Sequence, residues 1–379
     1  MQMNKKETTL PKYFCPAKWD DLGVNFDTGW AYACCKAKPT KFTTDVMEFI
    51  SKERLNLLND VRDSSCEYCW IAEDKGSESL RHQYLEKFDK STFEDYKNLS
   101  KTPKSINISV GSECNFQCTY CNPKFSSKWE HDVRNKEYKV FTDRYFYDIE
   151  KYNSNIIESN ISLLSDLGHL ERIIITGGEP LMNKKTFQMM ESSSSDIFQI
   201  VTNLSCKTSV LDRIFSYCER YGEVTIVVSM DATGKLAEFT RYGLDFEQFS
   251  HNMRYLLKNR PANVNVTVNS VMSSLTIRGL SEFGMFMNEF LSQPKFKWAI
   301  NYCWDPKMQS MATLPDQYKK DALIAIDALT GYDDIITGLV PLKTIIEKTP
   351  FNKTMHAQLK HFMKEFAARK NIEIPLCLD

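Results

Sequence analysis

The sequence of 379 residues predicts an α/β protein whose core is a parallel sheet built from about six βα repeats. From residue 104 onward, short apolar runs alternate with amphipathic segments of helical period, which is the pattern of such repeats. Ile and Val are nearly continuous in two of the runs, Arg172–Ile175 and Val224–Val228, as in strands that are covered on both faces. The first hundred residues do not continue this alternation and carry five of the 12 cysteines.

The predicted elements follow in chain order. The stretch LGVNFDTGWAYA predicts a β-hairpin with Asp27-Thr28-Gly29 as its turn. The six apolar runs predicted as strands are Ile106–Val110, Arg172–Ile175, Phe198–Val201, Val224–Val228, Val264–Val271 and Phe296–Ile300. The helices predicted between them include Lys207–Tyr221, Phe246–Lys258 and Arg278–Phe290. After the sixth strand, Pro315–Lys370 predicts helices over the open side, and Asn371–Asp379 predicts a tail or an edge segment.

The chain is longer than a typical single domain, and the sequence predicts three parts. These are a cysteine-rich domain over residues 1–100, the βα repeats over 101–305 and a helical segment over 306–379. The net charge of −1 argues against a nucleic-acid binder, because neutralising phosphates requires a basic excess or a basic patch. Neither a run of 18 apolar residues nor a signal peptide is found. We therefore expect a cytoplasmic protein without a membrane partner, whose cysteines bind metal instead of forming disulfides.

Three cysteines in GSECNFQCTYCNPK, spaced CxxxCxxC, predict an iron–sulfur cluster. Cys114, Cys118 and Cys121 directly follow the first predicted strand, at the edge where α/β enzymes hold their chemistry. Thiolates are soft ligands that suit such clusters, and three of them so close together require a tight loop. The alternative, structural zinc, needs a fourth local ligand, and Asn122–Glu130 contains neither Cys nor His. Three ligands leave one iron of a cubane open.

This motif resembles that of the radical SAM (S-adenosylmethionine) superfamily, in which an aromatic residue, here Tyr120, commonly precedes the third cysteine. The resemblance implies a partial (β/α)6 barrel of the TIM type, which agrees with the six predicted strands. It also implies a 4Fe-4S cluster whose open iron chelates the amino and carboxylate groups of SAM. One electron, from a donor such as flavodoxin or ferredoxin, then breaks the C5'–S bond to give methionine and a 5'-deoxyadenosyl radical.

The segment Thr176-Gly177-Gly178-Glu179-Pro180 is similar to the GGEP segment of the family. Glycines let a backbone approach a ligand that a Cβ would exclude. The carboxylate of Glu179 is expected to accept a hydrogen bond from the SAM ammonium group. The alternative is an ordinary strand-to-helix loop.

Polar residues at the ends of later strands are further candidates for binding SAM. Asn203 follows the third strand, and Ser229 and Asp231 follow the fourth, where the family often holds the ribose hydroxyls. Their alternative role is capping. Arg241 is a candidate because a similar arginine in related enzymes faces the SAM carboxylate, which a guanidinium group can bind bidentately. The alternative for Arg241 is a solvated surface residue. Asn269, near the end of the fifth strand, either reaches the cofactor or packs at the edge.

A second cysteine set lies before the repeats. Cys66 and Cys69 form a CxxC pair, and Cys15 with either Cys34 or Cys35 completes a set of four thiolates. The surrounding sequence is similar to the auxiliary-cluster segments of twitch and SPASM radical SAM proteins, although it stands before the barrel instead of after it. The resemblance implies a second, auxiliary 4Fe-4S cluster. Zinc in the same four thiolates is the alternative.

The sequence thus predicts a radical SAM enzyme that abstracts hydrogen from a substrate. Auxiliary-cluster relatives act on peptides, so a peptide or protein side chain is the leading substrate by analogy. Tyr302 and Cys303, just after the sixth strand, are expected at the mouth where a substrate binds. The alternatives are a non-catalytic iron–sulfur or zinc protein that binds SAM for regulation or electron transfer, and a nucleoside or RNA modifier.

Overall fold

A computed structural model describes residues 9–25, 29–34, 36–41, 46–74, 76, 78–135 and 169–376. Its strands are β1 (Asp21–Asn25), β2 (Trp30–Tyr32), β3 (Thr40–Lys41), β4 (Ser105–Ser109), β5 (Gln117–Cys118), β6 (Leu170–Thr176), β7 (Ser195–Thr202), β8 (Glu223–Ser229), β9 (Arg241–Tyr242), β10 (Val264–Met272), β11 (Phe296–Tyr302) and β12 (Ile336–Thr337). The predicted α/β class is confirmed, because all six predicted strands form, as β4, β6, β7, β8, β10 and β11.

The described helices join or flank these strands. They are α1 (Ala17–Asp20), α2 (Val46–Leu58), α3 (Glu67–Asp74), α4 (Leu80–Glu86), α5 (Ser127–Asn135), α6 (Lys184–Ser192), α7 (Thr208–Cys218), α8 (Gly234–Thr240), α9 (Phe246–Asn259), α10 (Leu280–Asn288), α11 (Asp316–Leu329), α12 (Leu339–Lys348) and α13 (Lys353–Lys370). Within the described ranges, no helix combines the length and the apolar character that crossing a bilayer requires.

Two compact units divide the described residues. The first takes its residues from Met1–Gly111, Glu150–Thr176 and Ser192–Phe198. The second takes its residues from Ser112–Ile149, Gly177–Glu191 and Gln199–Asp379. These boundaries differ from those drawn at residues 100 and 305 from the sequence, which stay a prediction.

In the first unit the strand order is β3-β2-β1-β4-β6. The antiparallel pair of β1 and β2 confirms the predicted hairpin, whose turn residues Asp27 and Thr28 lie outside the described residues. Gly23 lets the ring of Tyr32 pack on β1, because a Cβ there would lie 2.0 Å from that ring. On its other side β1 pairs in parallel with β4, which in turn pairs in parallel with β6. The hairpin therefore belongs to the same sheet as the first βα strand.

In the second unit β8, β10, β11 and β12 are parallel neighbours in the order β8-β10-β11-β12. The nine residues of β10 alternate strictly between buried and partly exposed, because its two sides face different surroundings. A separate antiparallel ribbon pairs β5 with β9, so that Cys118 lies opposite Arg241.

The C-terminal helix α13 packs against the helix that follows the cysteine loop. Phe362 and Phe366, both fully buried, contact the ring of Trp129 at centroid distances of 6.4 and 5.7 Å. Cys121 and Tyr242 are partly buried against the same apolar cluster. At the end of α13, Lys370 binds Asp132 on α5 at 2.9 Å. The predicted C-terminal helices therefore form, and the last of them packs against the apolar cluster that also contacts Cys121 of the cysteine loop.

Candidate functional site

The three motif cysteines lie on one loop that turns back on itself. The backbone N–H of Phe116 donates to Sγ of Cys114 at 3.4 Å, and the N–H of Cys121 donates to the carbonyl of Cys118 at 3.0 Å. Burial raises the pKa of the Cys121 thiol to about 12 and also raises the pKa of Cys114 and of Cys118. The neighbouring thiols add to the rise at Cys118, because three thiolates in one apolar place repel each other.

Those thiols have the donor chemistry of a cubane cluster, whose positive core would offset that repulsion. The described residues contain no group of three Cys, His, Asp or Glu side chains already arranged around a single metal ion.

Buried polar contacts hold the loop from outside the motif. The indole N–H of Trp129 donates to the carbonyl of Cys118 at 2.8 Å. The side-chain amide of Gln309 donates to the carbonyl of Thr119 at 2.5 Å and accepts from the Thr119 hydroxyl at 3.2 Å. Gln309 is fully buried and lies 190 residues from its partner, so no local pattern in the sequence marks it. Sequence reasoning missed this residue.

The GGEP turn lies directly against the cysteine loop. A Cβ on Gly178 would lie 2.2 Å from the carbonyl oxygen of Glu113, so this position requires glycine. Gly177 has a φ of 133°, a conformation that L side chains rarely adopt. The N–H of Glu179 donates to the same Glu113 carbonyl at 2.7 Å. The two glycines therefore serve the contact between the turn and the loop.

Three donors already bind the carboxylate of Glu179, which is 2% exposed. It accepts from the N–H of Leu181 at 3.0 Å, the hydroxyl of Thr202 at 2.7 Å and the N–H of Asn203 at 2.6 Å. Burial raises the pKa of the Glu179 carboxyl, although these hydrogen bonds oppose the rise. A carboxylate has about four lone-pair sites, so one acceptor position is left for an ammonium group.

Asn203 links the end of β7 to the cysteine loop. Its Nδ2 donates to Oδ1 of Asn115 at 2.7 Å, and its Oδ1 accepts from the N–H of Ser205 at 2.9 Å. Asn115 lies between the first two motif cysteines. The structure therefore brings Asn203 next to the predicted cluster, where its own side chain shapes the loop.

Tyr120, Asp231 and Arg241 form one buried network. The hydroxyl of Tyr120 donates to Oδ2 of Asp231 at 2.5 Å, and Nε of Arg241 donates to the same oxygen at 2.8 Å. The N–H of Val271 donates to the other oxygen, Oδ1, at 2.8 Å. Burial would lower the pKa of Arg241, but the charges of Asp231 and its neighbours raise it, so the guanidinium stays charged. Asp231, which follows β8, thus connects Tyr120 with Arg241 and with Val271 on β10.

Ser229 and Asn269 stand beside each other at the ends of β8 and β10, where they are Cα partners. Both are partly exposed, and Oδ1 of Asn269 accepts from Nδ2 of Asn301 at 2.8 Å. Asn301 was not named from the sequence, although its position directly after the sixth predicted strand, like that of the other candidates at strand ends, could have indicated it. Their predicted contacts with SAM stay predictions.

Tyr302 and Cys303, predicted at the substrate mouth, differ in exposure. Tyr302 is 37% exposed, whereas Cys303 is buried. The Cys303 thiol donates to the carbonyl of Asp305 at 3.5 Å, and burial raises its pKa to about 12. The thiol of Cys303 is therefore neutral.

Four cysteines of the first unit line one cavity. Cys15, Cys34, Cys66 and Cys69 all contribute to its wall, as the sequence set predicts, whereas the alternative ligand Cys35 lies outside the described residues. Burial raises the pKa of Cys15 to about 12, and the nearby thiols of Cys66 and Cys69 add to the rise. Four cysteines that line one cavity fit either a 4Fe-4S cluster or a zinc ion by donor type.

The cavity also has cationic side chains in its wall. Lys18, Lys36 and Arg81 line the cavity, and so do Leu80 and Tyr84 on α4. The cysteine pocket is therefore walled by cations as well as by thiols.

Comparison with known proteins concerns the cysteine loop of the second unit. The profile of the Radical SAM superfamily matches residues 108–276, which include the cysteine loop, the GGEP turn and the ends of β7, β8 and β10. The structure of SuiB from Streptococcus suis bound to the precursor peptide SuiA is similar at 12% identity and a TM-score of 0.38, over 93% of this chain and 69% of that one. SuiB bound to S-adenosylmethionine is similar at 13% identity and a TM-score of 0.39, over 84% and 69%. No curated protein sequence matches this chain. Residues 108–276 therefore match a radical SAM domain, which is the domain of an enzyme of the radical SAM class.

Proposed function

We propose that this enzyme cleaves SAM reductively at a 4Fe-4S cluster ligated by Cys114, Cys118 and Cys121, and that it abstracts a hydrogen atom from its substrate. A cluster held there supplies the electron that splits SAM into methionine and a 5'-deoxyadenosyl radical. The observation that carries the proposal is the contact between the cysteine loop and the GGEP turn, where Glu113 accepts from Glu179 at 2.7 Å. That contact sets a carboxylate beside three thiols, and three thiolates leave one coordination position for SAM.

The residues around the loop have separate tasks in this proposal. Glu179 receives the SAM ammonium group at the acceptor position that its three internal donors leave. Arg241, charged and 5% exposed, supplies positive potential beside Cys118 and for the SAM carboxylate. Ser229 and Asn269, paired at the ends of adjacent strands, receive the ribose. Asp231 acts indirectly, because both of its oxygens already bind protein donors.

A second 4Fe-4S cluster is part of the proposal, ligated by Cys15, Cys34, Cys66 and Cys69. Its support is the single cavity that these four cysteines line. Four thiolates saturate the cluster, which favours an electron-transfer role over direct binding of substrate. The substrate that follows from the resemblance to auxiliary-cluster enzymes is a peptide or protein side chain, with a flavodoxin or ferredoxin as the electron donor.

Anaerobic reconstitution followed by dithionite reduction tests the first cluster. Replacing Cys114, Cys118 and Cys121 together by Ala is expected to remove about four irons per chain and all formation of 5'-deoxyadenosine, because too few ligands remain to hold the cubane. Cys206→Ser is the matched control, since this cysteine lies in the same unit outside the motif, and it should keep both. Continued formation of 5'-deoxyadenosine in the triple variant would refute the proposed chemistry.

Iron and zinc analysis of the same protein tests the second cluster. We expect about eight irons per chain, falling to about four when Cys66 and Cys69 are both replaced by Ala. One zinc with only four irons in the parent protein would show that the cysteine pocket is a structural zinc site.

A further inference from the structure

We infer that Lys18 is the charge partner of the auxiliary cluster and sets its reduction potential. The inference rests on the second cluster proposed above and goes beyond it, because Lys18 is not a ligand. It is a positioning residue whose ammonium group favours the reduced, more negative state of the cluster. Nothing in the sequence marks it, since CPAKW is an ordinary helix start.

Lys18 is buried to an extent that is rare for lysine. Its side chain is 1% exposed, and its Nζ forms a buried ion pair with Glu53 on α2. The same Nζ donates to the hydroxyl of Ser65 at 2.7 Å. Taking an ammonium group out of water costs several kcal/mol, which an ion pair often fails to offset. The burial of Lys18 places an ammonium group in a water-poor wall that it shares with the four cysteines.

A chain of contacts leads from Lys18 to the thiols. Ser65 Oγ accepts from Lys18, donates to Asp63 and lies 4.0 Å from Sγ of Cys66. Lys18 itself lines the cavity with the four cysteines. The ammonium group is thus separated from a cysteine thiol by one hydroxyl group in the wall of the cavity.

The other cations of the cavity wall differ from Lys18 in their partners. Arg81 binds Glu73 bidentately, at 2.9 and 2.7 Å, whereas Nζ of Lys18 divides its contacts between Glu53 and the hydroxyl of Ser65 beside Cys66. Lys36 is exposed and lies over the ring of Tyr68 at 4.9 Å. Among the described hydrogen bonds of these cations, that of Lys18 leads to a cysteine thiol through a single hydroxyl group.

The expected effect follows from charge. Four thiolates outweigh the positive core of a 4Fe-4S cluster, and one-electron reduction adds a further negative charge. A cation in a water-poor wall stabilises that extra charge more than it would in water. Removing the cation should make reduction harder, and removing its carboxylate partner should make reduction easier.

An EPR-monitored redox titration of the full-length reconstituted enzyme, with dithionite as reductant, tests the inference. The auxiliary signal is the one that Cys66→Ala/Cys69→Ala abolishes and that the triple variant of the cysteine loop retains. Lys18→Met should shift the reduction equilibrium at least tenfold toward the oxidised state, which is 59 mV for one electron. Glu53→Gln should shift it the opposite way, and the double variant should lie between Lys18→Met and the parent. Lys97→Met, at an exposed ion pair of the same unit, should leave the potential unchanged.

Three results separate the possibilities. Unchanged potentials in Lys18→Met, Glu53→Gln and the double variant, with eight irons retained, would overturn the role of Lys18 and leave the second cluster intact. Four irons and one zinc in the parent protein would overturn the second cluster and this inference together. If Lys18→Met fails to fold, the double variant removes the buried charges as a pair, and a potential at or above that of the parent would then refute the inference.

Discussion

Asp231→Asn tests whether Asp231 is a structural tie or a ligand of SAM. Asp231 is 1% exposed and accepts from Tyr120, Arg241 and Val271. An amide in its place presents an N–H group to at least one of these donors and leaves the guanidinium of Arg241, whose side chain is 6% exposed, without a counter-charge. Breaking a buried pair in this way costs about 3–5 kcal/mol.

Guanidinium denaturation of the apoprotein, followed by tryptophan fluorescence and circular dichroism, measures the loss. Tyr120→Phe removes one hydrogen bond and keeps the ion pair, so it should cost about 1–3 kcal/mol. Asp231→Leu combined with Arg241→Met replaces both charges by apolar groups of similar size, which should recover part of the stability, because the buried Tyr120 hydroxyl and Val271 N–H still lose their acceptor. A loss below about 1 kcal/mol in Asp231→Asn, or a double variant as unstable as the single one, would refute the network argument. If Asp231 instead binds the ribose, SAM affinity falls while stability is retained.

Two further predictions concern the turn and the loop. Glu179→Ala should weaken SAM binding by about 1–3 kcal/mol, which is the cost of a lost charge-assisted hydrogen bond, and should leave the iron content unchanged. An unaltered SAM affinity, measured by calorimetry, would show that the GGEP turn is only structural. Gln309→Ala should destabilise the second unit by about 1–3 kcal/mol and raise the hydrogen-exchange rate of the cysteine loop, because the buried carbonyl of Thr119 loses its donor. Gln317→Ala, on the surface of α11, is the control. Equal exchange rates in the two variants would contradict this role of Gln309.

Local and periodic signals made much of the fold predictable. Apolar runs report strands, and all six predicted strands formed within a few residues of their expected ends. The β1–β2 hairpin was also predicted, but its parallel pairing with β4 was not, because the pairing joins segments that are far apart in the chain. Pairing partners depend on tertiary packing, which a single sequence does not encode locally.

The sequence by itself determined the candidate chemistry of the site, because the residue types and spacing of the predicted ligands lie close together in the chain. CxxxCxxC, GGEP and the N-terminal CxxC pair were all visible without a structure. Only the tertiary structure decided which groups surround them. Tyr120 meets Asp231 across 111 residues, Thr119 meets Gln309 across 190, and Lys18 meets Glu53 across 35. Burial makes an unpaired charge or polar group costly, so each buried group needs a partner nearby in space. That partner can lie anywhere in the sequence, and only the tertiary structure shows which residue it is.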